Sequence, residues 1–158
     1  MITIPAALDL IKSHQMTSPI QVVPLARDLG LPVYKVENWP DDLSGKLQKD
    51  EESSSGFSIY VNANHSKKRR RFTIAHEIAH YILHRDLIEG DALVDDSLYR
   101  SGLSNAVEAS ANRLAAEILM PWRLIDRAIF GGIATVPTLA EQFNVSTSAM
   151  AIRLGVPD

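Results

Sequence analysis

Arg71-Phe72-Thr73-Ile74-Ala75-His76-Glu77-Ile78-Ala79-His80-Tyr81-Ile82-Leu83-His84 carries a helix and a reactive cluster in the same stretch. Ile74, Ile78 and Ile82 recur at helical spacing, flanked by Phe72, Ala75, Ala79 and Leu83, which predicts a half-buried helix. Thr73 is placed to cap its start, and Arg85 brings a positive charge to its end. On such a helix His76 and His80 lie one turn apart, with Cβ atoms roughly 5–6 Å from each other, so both imidazoles reach a single ion. Glu77 stands beside it. A catalytic zinc keeps an open position for water, and an adjacent carboxylate takes that water's proton as it attacks a carbonyl carbon. The pentad therefore predicts two metal ligands, His76 and His80, and one general base, Glu77. By average residue frequencies a chance match in a chain of this length is on the order of one per cent or less, which makes two solvent-facing histidines the weaker reading.

Working outward, the 158-residue chain suits one well-packed domain, 1–158, with residues 137–158 as a tail subdomain. Hydrophobic residues at 46% and charged residues at 22% are ordinary for a globular protein. Neither a charged-then-apolar leader nor an apolar run near the roughly 20 residues of a membrane span is seen, so a cytoplasmic protein without a membrane partner is expected. Cysteine is absent, which restricts metal ligands to histidine and carboxylate. A formal net charge of −3 offers no general attraction to nucleic acid.

Residues 4–13 and 19–29 read as short helices, the second followed by Gly30 at a C-cap position. Residues 32–36 and 57–62 have strand composition, with 43–49 a middle strand and 50–56 a turn. A three-stranded antiparallel meander is the simplest arrangement. Lys67 to Arg71 are consecutive cations leading into the metal helix, read as a solvated loop in preference to a phosphate or acidic-partner site. Residues 88–103 read as a long loop beside the cleft, of the kind that carries specificity.

Residues 105–119 form a second helical pattern, ended by Met120-Pro121. Two histidines leave a tetrahedral zinc one protein ligand short, and Glu108 is a candidate for the third. Glu108 shares a face with Asn112, so one could bind the metal while the other hydrogen-bonds a ligand and orients it. Equally, Asn105 and Glu108 have the spacing of a capping box. His84 is set aside as a ligand because it lies roughly 12 Å along the axis from His76; packing or capping is its expected role. His14 and His65 have no partner at ligand spacing.

RFTIAHEIAHYILH followed by EASANRLAAEILMP resembles the ImmA/IrrE family of metallo-endopeptidases, and the likeness extends more weakly to ARDLGLPVYKV and the C-terminal tail. The resemblance implies zinc (Zn2+) held by His76, His80 and Glu108, with Glu77 as general base. The motif pair also looks like the gluzincin group, in which an aspartate four residues after the ligand glutamate supports a ligand histidine; that position is Asn112. Family members commonly act on, or are controlled by, a helix-turn-helix repressor in phage induction, stress response or toxin-antitoxin pairs, which implies a repressor or antitoxin as protein partner.

Residues 138–154 read as helix, turn, helix, with Thr138 and Glu141 as a capping box. The second helix offers Arg153 as its only cation, too little for DNA affinity that rests on several phosphate contacts, so packing or substrate docking is preferred. The expected fold is α+β: a small antiparallel three-stranded sheet on the HExxH helix and a glutamate-bearing helix, with a helix-turn-helix-like tail. The expected function is a zinc endopeptidase acting on a protein, the alternative a non-cleaving regulatory or toxin protein that binds a repressor, antitoxin or nucleic acid. Peptide would lie along a strand edge, residues 57–62 for instance, and Tyr60, Tyr81 and Tyr99 are candidate oxyanion donors.

Overall fold

The computed structural model describes residues 2–88, 90, 92–96 and 104–157. Helix α1, Ile4–Ser13, starts where the Thr3 hydroxyl accepts from the Ala6 N–H and Pro5 occupies the first turn. Helix α2, Val22–Asp28, ends before Gly30, whose φ of +80° takes the chain out of the helix without Cβ strain. Strands β1 (Val33–Val36), β2 (Leu43–Lys49) and β3 (Phe57–Asn62) fall where strand composition placed them.

The strands do not form a meander. β2 and β3 make the expected antiparallel pair, but β1 runs parallel to β3 on its other side, and a fourth strand, β4 (Ala92–Asp96), pairs antiparallel with β2. The order is β1-β3-β2-β4. Residues 37–42 carry the chain from β1 past β3 to β2's position, a path fastened by Asn62 Nδ2 donating to the carbonyls of Pro40 (3.0 Å) and Leu43 (2.8 Å). No hydrophobic period marks such a crossing. β4 replaces part of the loop expected over 88–103, of which residues 89, 91 and 97–103 lie outside the described residues.

The metal helix, α3, spans Lys67–His84. It begins at Ser66, whose Oγ accepts from the Arg69 N–H at 3.2 Å, and not at Thr73. The basic run is therefore its first turn rather than a loop. Its cations are largely committed to protein acceptors: Arg70 donates to the His65 carbonyl (2.6 Å), Arg71 to the carbonyls of Asn144 (3.2 Å) and Phe143 (3.4 Å), and Lys68 pairs with Glu141 (3.2 Å). Nor is α3 half-buried: every residue from Thr73 to Ile82 is buried, because β2 and β3 lie on one side, α4 on another, and α1 and α2 against the remainder.

Helix α4, Asn105–Leu119, has the expected bounds, with Ser104 rather than Asn105 as its N-cap. Helix α5, Trp122–Phe130, was not foreseen. Helices α6 (Val136–Phe143) and α7 (Thr147–Leu154) form the helix-turn-helix tail, joined through Asn144 in the left-handed region at φ 54°. The capping box of α6 uses Thr135 and Thr138, not Thr138 and Glu141. Ile59, Ile78, Ile118, Leu119 and Phe143 join sheet, α3, α4 and tail in one apolar core. Among the described residues, no helix is long and apolar enough to cross a membrane.

Candidate metal centre

Burial and helical spacing bring His76, Glu77 and His80 to the junction of α3 and α4, where they are 8%, 0% and 0% exposed. Ala111 and Ala115, both fully buried, are the small side chains on α4's inner face that let the two helices approach. One turn above Ala111, Glu108 is not a capping residue: it faces the histidines. Its Oε2 lies 3.3 Å from His76 Nε2 and its Oε1 3.1 Å from His80 Nε2. Metal bonds of about 2.0–2.1 Å in a tetrahedron separate donor atoms by about 3.3–3.4 Å. Three donors, one from each of His76, His80 and Glu108, lie within 4.8 Å of one another.

The polar atoms fit a cation. His80 Nε2 is buried and, although close to Glu108, has no aligned hydrogen-bond partner among the described residues. Both carboxylate oxygens of Glu77 are likewise buried without a hydrogen bond. A buried carboxylate left so is costly unless a positive charge stands nearby. The ring nitrogens of His76 and then His80, 3.3 and 3.1 Å away, favour the charged form and hold the Glu108 carboxyl well below the usual carboxylate range. Burial pushes His80 and His84 down, which favours neutral imidazoles, the form that ligates.

The other predicted residues divide clearly. Asn112, expected to orient a ligand histidine, is exposed and makes no hydrogen bond to His76 or His80 among the described residues. Its amide lines a neighbouring groove instead. His84, set aside as a ligand, meets His80 on the side away from Glu108: the two Nδ1 atoms are 3.0 Å apart. Beyond it, His84 Nε2 lies 2.9 Å from Ser110 Oγ, which donates to the Val107 carbonyl at 2.8 Å. The spacing His80-x3-His84 repeats that of His76-x3-His80, and was the available signal. Tyr60 pairs with Tyr34 and Lys46, in register with residues one position off those that face α3, and so lies on the sheet's other face. Tyr81 packs in the core against Phe57, their ring centroids 5.6 Å apart. Tyr99 lies outside the described residues.

Gly45 is a residue that composition did not single out. A Cβ there would stand 2.5 Å from Thr73 Cγ2, 2.9 Å from the Tyr60 carbonyl and 3.8 Å from Glu77 Cγ. Only a glycine lets β2 pass so close over the helix, at the irregular step in the β2–β4 register between Leu43 and Gly45. β3, expected to offer its edge to a peptide, is paired on both sides and has no edge to offer. Among the described strands, β4 (next to β2) and β1 (next to β3) each pair on one side only. Beside the centre an open groove of about 810 Å³ lies between α3, α4 and α7. Phe72, Ala116, Met120 and Ile152 give it apolar walls, and Lys68, Arg69, Arg113 and Arg153 are cations along it. Phe72 connects groove and centre, its ring centroid 6.4 Å from that of His76.

A histidine pair on one helix, a glutamate facing it from the next and a second carboxylate beside them are the residue types that a metal-dependent hydrolase uses as donor set and base. Residues 27–155 match the model of the IrrE N-terminal-like domain, Peptidase_M78, and the chain belongs to that metallopeptidase family. It is 38% identical over 98 residues to the radiation response metalloprotease IrrE of Deinococcus deserti, a match covering 58% of this chain and 34% of that protein. With the metallopeptidase ImmA of Bacillus subtilis it shares 23% identity over 120 residues, covering 76% of this chain and 64% of the relative. The chain thus spans less than two thirds of the length of either. A solved structure titled as a Mycobacterium tuberculosis transcriptional regulator has the same fold, with a TM-score of 0.65 and 22% identity over 97% of this chain and 46% of its own.

Proposed function

We propose that the chain is a zinc endopeptidase that cleaves a protein substrate, a helix-turn-helix repressor or antitoxin partner. The observation that carries this reading is the buried His76-His80-Glu108 group with the unpartnered carboxylate of Glu77 against it. His76 Nε2, His80 Nε2 and one Glu108 oxygen would hold the ion. When bound, the ion supplies Lewis-acid polarisation of water and of the scissile carbonyl. Glu77 accepts the proton of the attacking water and returns it to the leaving amine. Its burial suits this task, because no hydrogen bond to the described residues occupies its oxygens. An edge strand, β4 or β1 in place of β3, supports binding of an extended peptide by main-chain hydrogen bonds. The groove along α7 supports docking of a larger protein surface with apolar and acidic groups.

In the tail, Arg153 is spent within the protein: it lies over the Trp122 ring at 4.8 Å and donates to the Met120 carbonyl at 3.0 Å. That supports docking and packing over reading of DNA. The test is incubation of zinc-loaded protein and a Glu77→Gln variant with helix-turn-helix regulators of the host, followed by mass spectrometry. Discrete cleavage by the first and none by the second is expected. Binding without cleavage by both would point to the non-cleaving regulatory reading.

A further inference from the structure

The hydrogen bonds around His84 have one direction in which all of them are made. Ser110 Oγ carries a single proton and lies within reach of both the Val107 carbonyl (2.8 Å) and His84 Nε2 (2.9 Å). The carbonyl only accepts, so the hydroxyl proton goes there and His84 Nε2–H donates to Ser110. The neutral His84 ring is then bare at Nδ1. At 3.0 Å from it, His80 Nδ1 must carry the proton of that contact. His80 is left with a lone pair on Nε2, the atom that faces Glu108. In the reverse direction Ser110 would donate to His84, the Val107 contact would lose its proton, and neutral His80 would carry its proton on Nε2, turned to Glu108 3.1 Å away, with no lone pair there for an ion.

We propose that His84, anchored by Ser110, is a positioning residue that holds His80 in the Nδ1–H tautomer with Nε2 aimed at the metal position. The inference rests on His80 being a ligand, and it gives α3 three consecutive turns of histidine with two different tasks. His76 and His80 point donors at the ion, while His84 sets the tautomer and ring orientation from behind. Partners of this kind usually change metal affinity by about 10–100-fold when removed.

The experiment compares wild-type protein with His84→Phe, His84→Gln and Ser110→Ala. Zinc affinity is measured by competition with a chromogenic chelator, and ring tautomers by ¹⁵N chemical shifts of the zinc-loaded protein. Phe keeps the ring's bulk without an acceptor, and Gln restores an acceptor oxygen. The expected result is a loss of zinc affinity of about 10–100-fold in His84→Phe, a smaller loss in Ser110→Ala and recovery in His84→Gln. The wild-type spectrum should show His80 as the Nδ1–H form and His84 as the Nε2–H form. Equal affinity in wild type and His84→Phe, equal losses in His84→Phe and His84→Gln, or an Nε2–H His80 would each overturn the proposal. If His84→Phe unfolds, Ser110→Ala and the wild-type tautomers decide the matter. Zinc binding that depends on His84 in a protein that cleaves nothing supports this inference and counts against the peptidase reading. A wild-type protein that takes up no zinc overturns both.

Discussion

The junction of α3 and α4 and the α6–α7 tail are both built from helix against helix, yet they treat their polar groups in opposite ways. At the junction, ionisable groups are buried and incompletely satisfied: both Glu77 oxygens and His80 Nε2 have no hydrogen-bond partner among the described residues. In the tail the charges are either solvated or answered, with Arg71 capping the carbonyls of Phe143 and Asn144, Lys68 paired to Glu141 and Arg153 on Met120. Unanswered polarity in a dry site is costly, and a protein that keeps it has a ligand or a reaction to offset the cost. Answered polarity holds elements together. The contrast separates a place of chemistry from a place of attachment.

Glu77→Gln breaks the comparison hardest. Loss of the base should lower cleavage by about 10²–10⁴-fold. Zinc content should remain, and thermal unfolding should show equal or higher stability because a buried, unpartnered charge is gone. Retained cleavage would mean that Glu77 is not the base. Metal removal comes next. Chelation should lower the unfolding temperature and zinc should restore it, since free ion at about 1,000 times Kd adds about 4 kcal/mol to the folded state; Glu108→Ala should lose that response. Gly45→Val tests how closely β2 must approach α3, and overpacking at Thr73 should cost about 1–3 kcal/mol in urea unfolding. Arg71→Ala strips donors from two carbonyls at the tail junction and should cost about 1–3 kcal/mol, with zinc affinity unchanged. Smallest is Ile152→Ser on α7, where a 78% exposed side chain leaves stability within about 0.5 kcal/mol. Weaker capture of a protein substrate by this variant, at equal cleavage of short peptides, would assign the groove to docking.

The clustering of His76, Glu77 and His80 and the two helices around them were legible in the order of residues alone, because helical period converts sequence spacing directly into a shared face. The same holds for the helix-turn-helix pattern of the tail. Glu108 had two readings from spacing, and only the packing of α4 on α3 turned its carboxylate to the histidines instead of to its own helix end. The sheet order, the crossing of residues 37–42 and the strand hidden in the expected loop were not legible, since pairing partners are chosen by contacts distant in sequence. The surroundings of Asn112 and His84 were not legible for the same reason. Each sits four residues from a member of the His76-His80-Glu108 group, but which face of a helix meets its neighbour is settled by how the helices rest on one another, and that put His84 behind His80 and Asn112 at the surface.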